Sequence, residues 1–115
     1  MSKLCDQVVE ALREAFPLIR IMREEYVTYC NQKLFIDIFV PQLALVVEVH
    51  GRQHDEFVGH FHGSAEGFRS SERRDSLKEE WAAEQGYTMV ILREHQLPIT
   101  TEDLLEAIDG ASNKD

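Results

Sequence analysis

Basic residues are scarce in this chain. Only 12 of its 115 residues are Lys or Arg, against 21 Asp or Glu, which leaves a formal net charge of −9. A protein that coats nucleic acid draws on a basic surface, so the total argues against that class. Cysteine is also sparse: Cys5 and Cys30 have neither CxxC spacing nor the density of a disulfide framework. They read as two free thiols in a reducing cytosol. No apolar run is long enough to cross a bilayer, and the start MSKLCDQVVEALRE lacks the apolar core of a signal peptide. These absences point to a cytoplasmic protein with no membrane partner.

What remains is ordinary for a globular chain: 43% apolar and 29% charged residues. The length suits one domain over 1–115 with one modest core. Leu4, Val8, Leu12 and Ala15 recur at helical spacing over 3–15, with Ser2 as N-cap and Pro17 as stop. Residues 19–27 read as a strand or extended arm. Two apolar runs follow, 34–40 and 43–49, separated by Pro41-Gln42, and they predict an antiparallel hairpin. Their near-continuous apolar character calls for a sheet covered on both faces.

From Gly51 to Gly67 the periodicity breaks, with three His and scattered Phe, which predicts a long loop; such loops in small domains are commonly functional. Helical spacing returns from Phe68, with Leu77, Trp81 and Ala82 inward and Gly86 as C-cap. Residues 87–92 form a short buried strand. Thr100 or Thr101 opens a last helix to Ile108, and the tail from Gly110 is polar and frayed. The order is helix, three strands, helix, strand, helix: one α/β domain with a mixed central sheet flanked by helices.

Two residues stand against this pattern. Asp37 and Glu48 each lie inside a strongly apolar strand, where an ionised carboxylate is costly without a cation or donors. Pairing about Pro41-Gln42 sets 37 roughly opposite 46, with 48 just beyond, so both point toward one end of the sheet. Converging carboxylates repel unless a cation neutralises them, and oxygen ligands suit Mg²⁺ or Mn²⁺. The alternative is ordinary ion pairing, Asp37 with Arg20 or Arg23 and Glu48 with Lys33.

The surrounding residues are Phe35-Ile36-Asp37-Ile38-Phe39-Val40-Pro41, Glu48-Val49-His50-Gly51-Arg52-Gln53-His54 and Arg74-Asp75-Ser76-Leu77-Lys78. This ordered set, over roughly residues 4–95, resembles the PD-(D/E)XK nuclease superfamily, in its very-short-patch-repair-like branch with the EDxHD homing endonucleases. The resemblance implies a restriction-endonuclease-like fold. It also implies that Asp37, Glu48 and the main-chain carbonyl of Val49 bind metal. His50 stands where most of the superfamily has its catalytic lysine. The branch instead takes its base from a histidine after the Gly, the place of His54, polarised by a late acid, the place of Asp75. The branch's first-helix acid falls on Asp6 or Glu10.

The implied reaction is phosphodiester hydrolysis in DNA, with a Mg²⁺-activated water and His54 as general base near neutrality. Lys78, one turn after Asp75, would contact the phosphate. Arg69, Arg73, Arg74 and Lys78 form the chain's one basic concentration and, with Arg52, the expected nucleic-acid contacts. A solvated helix face paired with Glu66, Glu72, Glu79 and Glu80 is the plainer reading of that helix. His60-x-His62 lacks a second pair at zinc-ligand spacing. Phe57, Phe61 and Phe68 suit either a wedge into a duplex or a small apolar cluster.

The expected activity is therefore a metal-dependent DNA endonuclease, nicking or double-strand cutting, in a bacterial cell or a phage-infected host. The competing readings are a catalytically inactive nuclease-fold module binding nucleic acid or a partner protein, and a metal-dependent RNase. No helix-turn-helix or finger is legible. The sequence thus names no target, and the expected partners besides DNA are a second copy in a homodimer or a separate DNA-recognition domain or protein.

Overall fold

The computed structural model describes residues 3–51 and 65–112, and for 65–71 the course of the backbone alone. Helix α1 spans Lys3–Ala15, and strands β1, β2 and β3 follow at Met22–Tyr29, Gln32–Val40 and Leu45–His50. Helix α2 covers Ala65–Gln85, strand β4 Thr88–Arg93 and helix α3 Thr101–Ser112. The strands lie in the order β1-β2-β3-β4. The first three are antiparallel neighbours, and β4 runs parallel to β3. The result is a small α/β domain with a mixed four-stranded sheet.

Alternation along the strands divides the sheet into two faces. Ile38, Val40, Leu45, Val47, Val49, Val90 and Leu92 meet Val8, Val9, Ala11 and Leu12 of α1 and Leu104 of α3 in the main core. The opposite face carries Asp37, Phe39, Val46, Glu48 and His50 under α2. There Phe39 and Trp81 both pack on Tyr87, with ring centroids 5.1 and 5.4 Å away. All six residues of β3 are buried, as expected of a strand covered on both sides. Ala82 is buried while Leu77 and Trp81 are half-buried, in keeping with the inward positions predicted for this helix.

Several predicted boundaries move. Residues 65–67, predicted to be loop, are already helical, and α3 continues through Gly110 to Ser112 rather than fraying there. A glycine with no Cβ weakens a helix without ending it when packing supports the turn, and Ala107, Ile108 and Ala111 rest on the core. Thr100 opens α3, its Oγ1 accepting the Asp103 amide at 3.0 Å. Gly86 ends α2 at φ 76°.

The hairpin is the consequential correction. The connection is a 3₁₀ turn over Pro41–Leu43 followed by Ala44 in the left-handed region at φ 48°. That four-residue loop pairs Val40 with Leu45, Phe39 with Val46 and Ile38 with Val47. One step further, Asp37 faces Glu48 rather than residue 46. The shift arises because Pro41 starts a helical turn and Ala44 closes it, its backbone N–H donating a hydrogen bond to the Pro41 carbonyl at 3.0 Å.

Candidate metal and phosphate site

The β2–β3 ladder stops at the pair Ile38–Val47, and the two carboxylates take over where it ends. The Asp37 amide donates to Glu48 Oε2 at 2.9 Å, and the Val49 amide donates to Asp37 Oδ2 at 2.9 Å. Each acid thus accepts a backbone N–H of the opposite strand, which satisfies two donors that the ladder has left. The lock needs a side-chain oxygen acceptor at each of these positions. An apolar residue at either would leave a half-buried N–H without an acceptor.

Glu48 is 1% exposed. Its second oxygen, Oε1, receives the Lys78 ammonium of α2 at 2.7 Å, and the lysine side chain is only 11% exposed. Burial, and then the neighbouring charge of Asp37, push the Glu48 carboxyl up to about 7, while Lys78 pulls in the other direction. The single ammonium therefore does not fully compensate the two acids. A site that holds negative charge at such cost is suited to a further cation.

The expected ordinary pairings are not the ones found. Arg23 binds Asp6 at 2.9 Å instead of Asp37, and Lys33 lies over the Tyr26 ring, 4.6 Å from its centroid. Lys78, the expected phosphate contact, donates to Glu48 Oε1. Asp6 is 54% exposed within its pair with Arg23, and Glu10 is exposed as well. Asp37, Glu48 and Lys78 are thus brought together.

His50 lies two residues beyond Glu48 on the same sheet face and is 5% exposed. On α2, Arg73 and Arg74 are exposed and Asp75 is half-buried one turn before Lys78. Arg52, His54, His60, His62, Phe57 and Phe61 lie outside the described residues, as do the side chains of Glu66, Phe68 and Arg69. Among the described residues no three His, Cys, Asp or Glu side chains come close enough to form a metal cluster. The donors available there are the two carboxylates and main-chain oxygen.

One neighbour escapes the sequence pattern. Continuing the β1–β2 register, in which Arg23 pairs with Ile38 and Glu25 with Ile36, sets Glu24 beside Asp37. Glu24 has φ 55°, a left-handed conformation that ordinary side chains seldom adopt. Only the strand pairing reveals this placement, because β1 carries no apolar alternation strong enough to fix its register. A hollow of about 1060 Å³ runs along the outer edge of β4, and none of Asp37, Glu48 and Lys78 lines it.

A stretch of 74 residues, 64% of this chain, is 36% identical to uncharacterized protein 307L of Invertebrate iridescent virus 6. The match spans 35% of that protein's length, about a third of it. No family model and no solved structure matches the chain. Among the described residues no helix is long and apolar enough to cross a membrane.

Proposed function

We propose that this chain is a restriction-endonuclease-like, divalent-metal-dependent DNA endonuclease whose centre is the Asp37–Glu48 pair. The observation that carries the reading is the reciprocal amide lock between the two acids at the splayed end of β2 and β3. It holds a buried carboxylate and a half-buried one in fixed positions beside one ammonium, an arrangement that costs stability and therefore suggests use. Asp37 and Glu48 would hold Mg²⁺ or Mn²⁺ with the carbonyl of Val49, whose amide already fixes Asp37. Hard oxygen donors of this kind fit either ion. A bound ion supplies charge compensation at the phosphoryl oxygens and a water of lowered pKa.

The remaining steps belong to the chain. As the resemblance implies, His54 would serve as the general base for the attacking water, and Asp75 would orient and polarise it. Arg73 and Arg74, exposed on α2, follow the DNA backbone with Arg52 and Arg69. The net charge of −9 makes this one narrow face, so binding is weak without metal or a second binding element.

The Lys78–Glu48 ion pair favours a second reading, a nuclease-fold module without catalysis, because an internally satisfied acid has less need of metal. One experiment separates the two. Supercoiled plasmid is incubated with Mg²⁺ or Mn²⁺ and wild type, Asp37→Asn or His54→Ala protein. Nicking by wild type alone is the expected result. Nicking that survives both substitutions rules out this centre, and no nicking under any metal condition favours the binding module.

A further inference from the structure

Glu48 spends its two oxygens differently. Oε2 is committed to the Asp37 amide, inside the lock that shapes the strand end. Oε1 accepts the Lys78 ammonium at 2.7 Å, and it is the oxygen not tied into that lock. A divalent ion bonded to Oε1 at about 2.0–2.1 Å would lie no more than about 5 Å from that ammonium. With Glu48 1% exposed, little water intervenes to screen the two positive charges. The repulsion between the two charges disfavours holding both cations on that one buried oxygen.

Resting on the metal-dependent reading above, we propose that Lys78 is the resident counter-ion of the carboxylate pair, and that a divalent cation enters by displacing its ammonium from Glu48. Lys78 is equipped for this exchange. Its compact charge rides on a flexible four-carbon stem, unlike the planar fork of an arginine. It reaches in from α2 with its side chain 11% exposed, so the head group has a short path to solvent. The same helix presents Arg73 and Arg74 to solvent one turn earlier. An ammonium released from Glu48 therefore joins the basic edge where a phosphate would lie. Loading the metal thus supplies a phosphate-binding cation, and by linkage a bound phosphate strengthens metal binding.

The exchange is tested on the full chain by calorimetric Mn²⁺ titration, with circular dichroism to check folding. Lys78→Gln keeps a neutral donor for Glu48 and removes the competing charge, so it should bind Mn²⁺ at least about tenfold more tightly than wild type. Lys78→Arg, which retains a cation, should not show that gain. On wild type alone, saturating Mg²⁺ should raise the acylation rate of Lys78 in mass-spectrometric footprinting, a readout that does not depend on any variant folding. Unchanged or weaker Mn²⁺ binding by Lys78→Gln overturns the proposal, as does unchanged Lys78 reactivity or absence of binding in every protein. Tighter binding without plasmid nicking would remove the nuclease reading and leave the exchange standing. Nicking with unaltered affinity would do the reverse.

Discussion

Asp37 and Glu48 are held by each other's strands: the Asp37 amide donates to Glu48 and the Val49 amide to Asp37, both at 2.9 Å. The pair is thus both a structural closure of the β2–β3 ladder and a concentration of charge. Substitutions that keep the acceptor and remove the charge should separate these two roles.

Asp37→Asn keeps a carbonyl oxygen for the Val49 amide and relieves Glu48 of a neighbouring charge. Its urea midpoint should match or exceed wild type, while metal binding is lost. Asp37→Ala removes the acceptor and should cost about 1–3 kcal/mol, the usual penalty for an unsatisfied buried donor. Equal stability of the two variants would show that the amide lock contributes nothing.

Glu48 makes stability depend on pH in a definite direction. Its folded pKa is raised from the ordinary 4.5 to about 7. Between these values the folded state keeps a proton that the unfolded chain has lost. This group's contribution therefore falls as pH rises through the window, by an amount of order 3 kcal/mol. Denaturant midpoints from pH 4 to 8 should show that fall in wild type and a flatter profile in Glu48→Gln. Adding Mg²⁺ at pH 8 should recover stability in wild type, since a bound cation favours the ionised acid.

The hairpin can be tested at its left-handed residue. Ala44 has φ 48°, where a Cβ is disfavoured and glycine is not. Ala44→Gly should leave stability unchanged or raise it by up to about 1 kcal/mol. At Gly86, φ is 76° and a Cβ would meet nothing within 4 Å. Gly86→Ala should nonetheless cost about 1 kcal/mol, from backbone strain alone. Thermal melts of the two variants should shift in these directions.

Adjacent leucines of α3 provide a test of the core. Leu104 is 0% exposed and Leu105 42% exposed. Leu104→Ala should cost about 2–5 kcal/mol through lost burial and a residual cavity, and Leu105→Ala under about 1 kcal/mol. Comparable losses would mean that α3 is rotated from the position described.

Much of the architecture is written in the residues themselves. The spacing of Val8 and Leu12, the apolar runs flanking Pro41, the glycine at 86 and Thr100 ahead of α3 are local signals, and each element formed within a few residues of its signal. The anomaly of two acids in apolar strands was equally legible, because a desolvation cost depends on composition before it depends on geometry. The partner of each charge was not legible. Lys78 is 30 residues from Glu48 in the chain, and only the fold of α2 over the sheet brings them together. The facing of Asp37 and Glu48 depended on whether the turn used two residues or four, which Pro41-Gln42 left open and Ala44 decided. Local periodicity thus determined the elements and singled out the acids. Tertiary structure chose the register, the amide lock and the counter-ion, since these depend on long-range packing that no window of sequence contains.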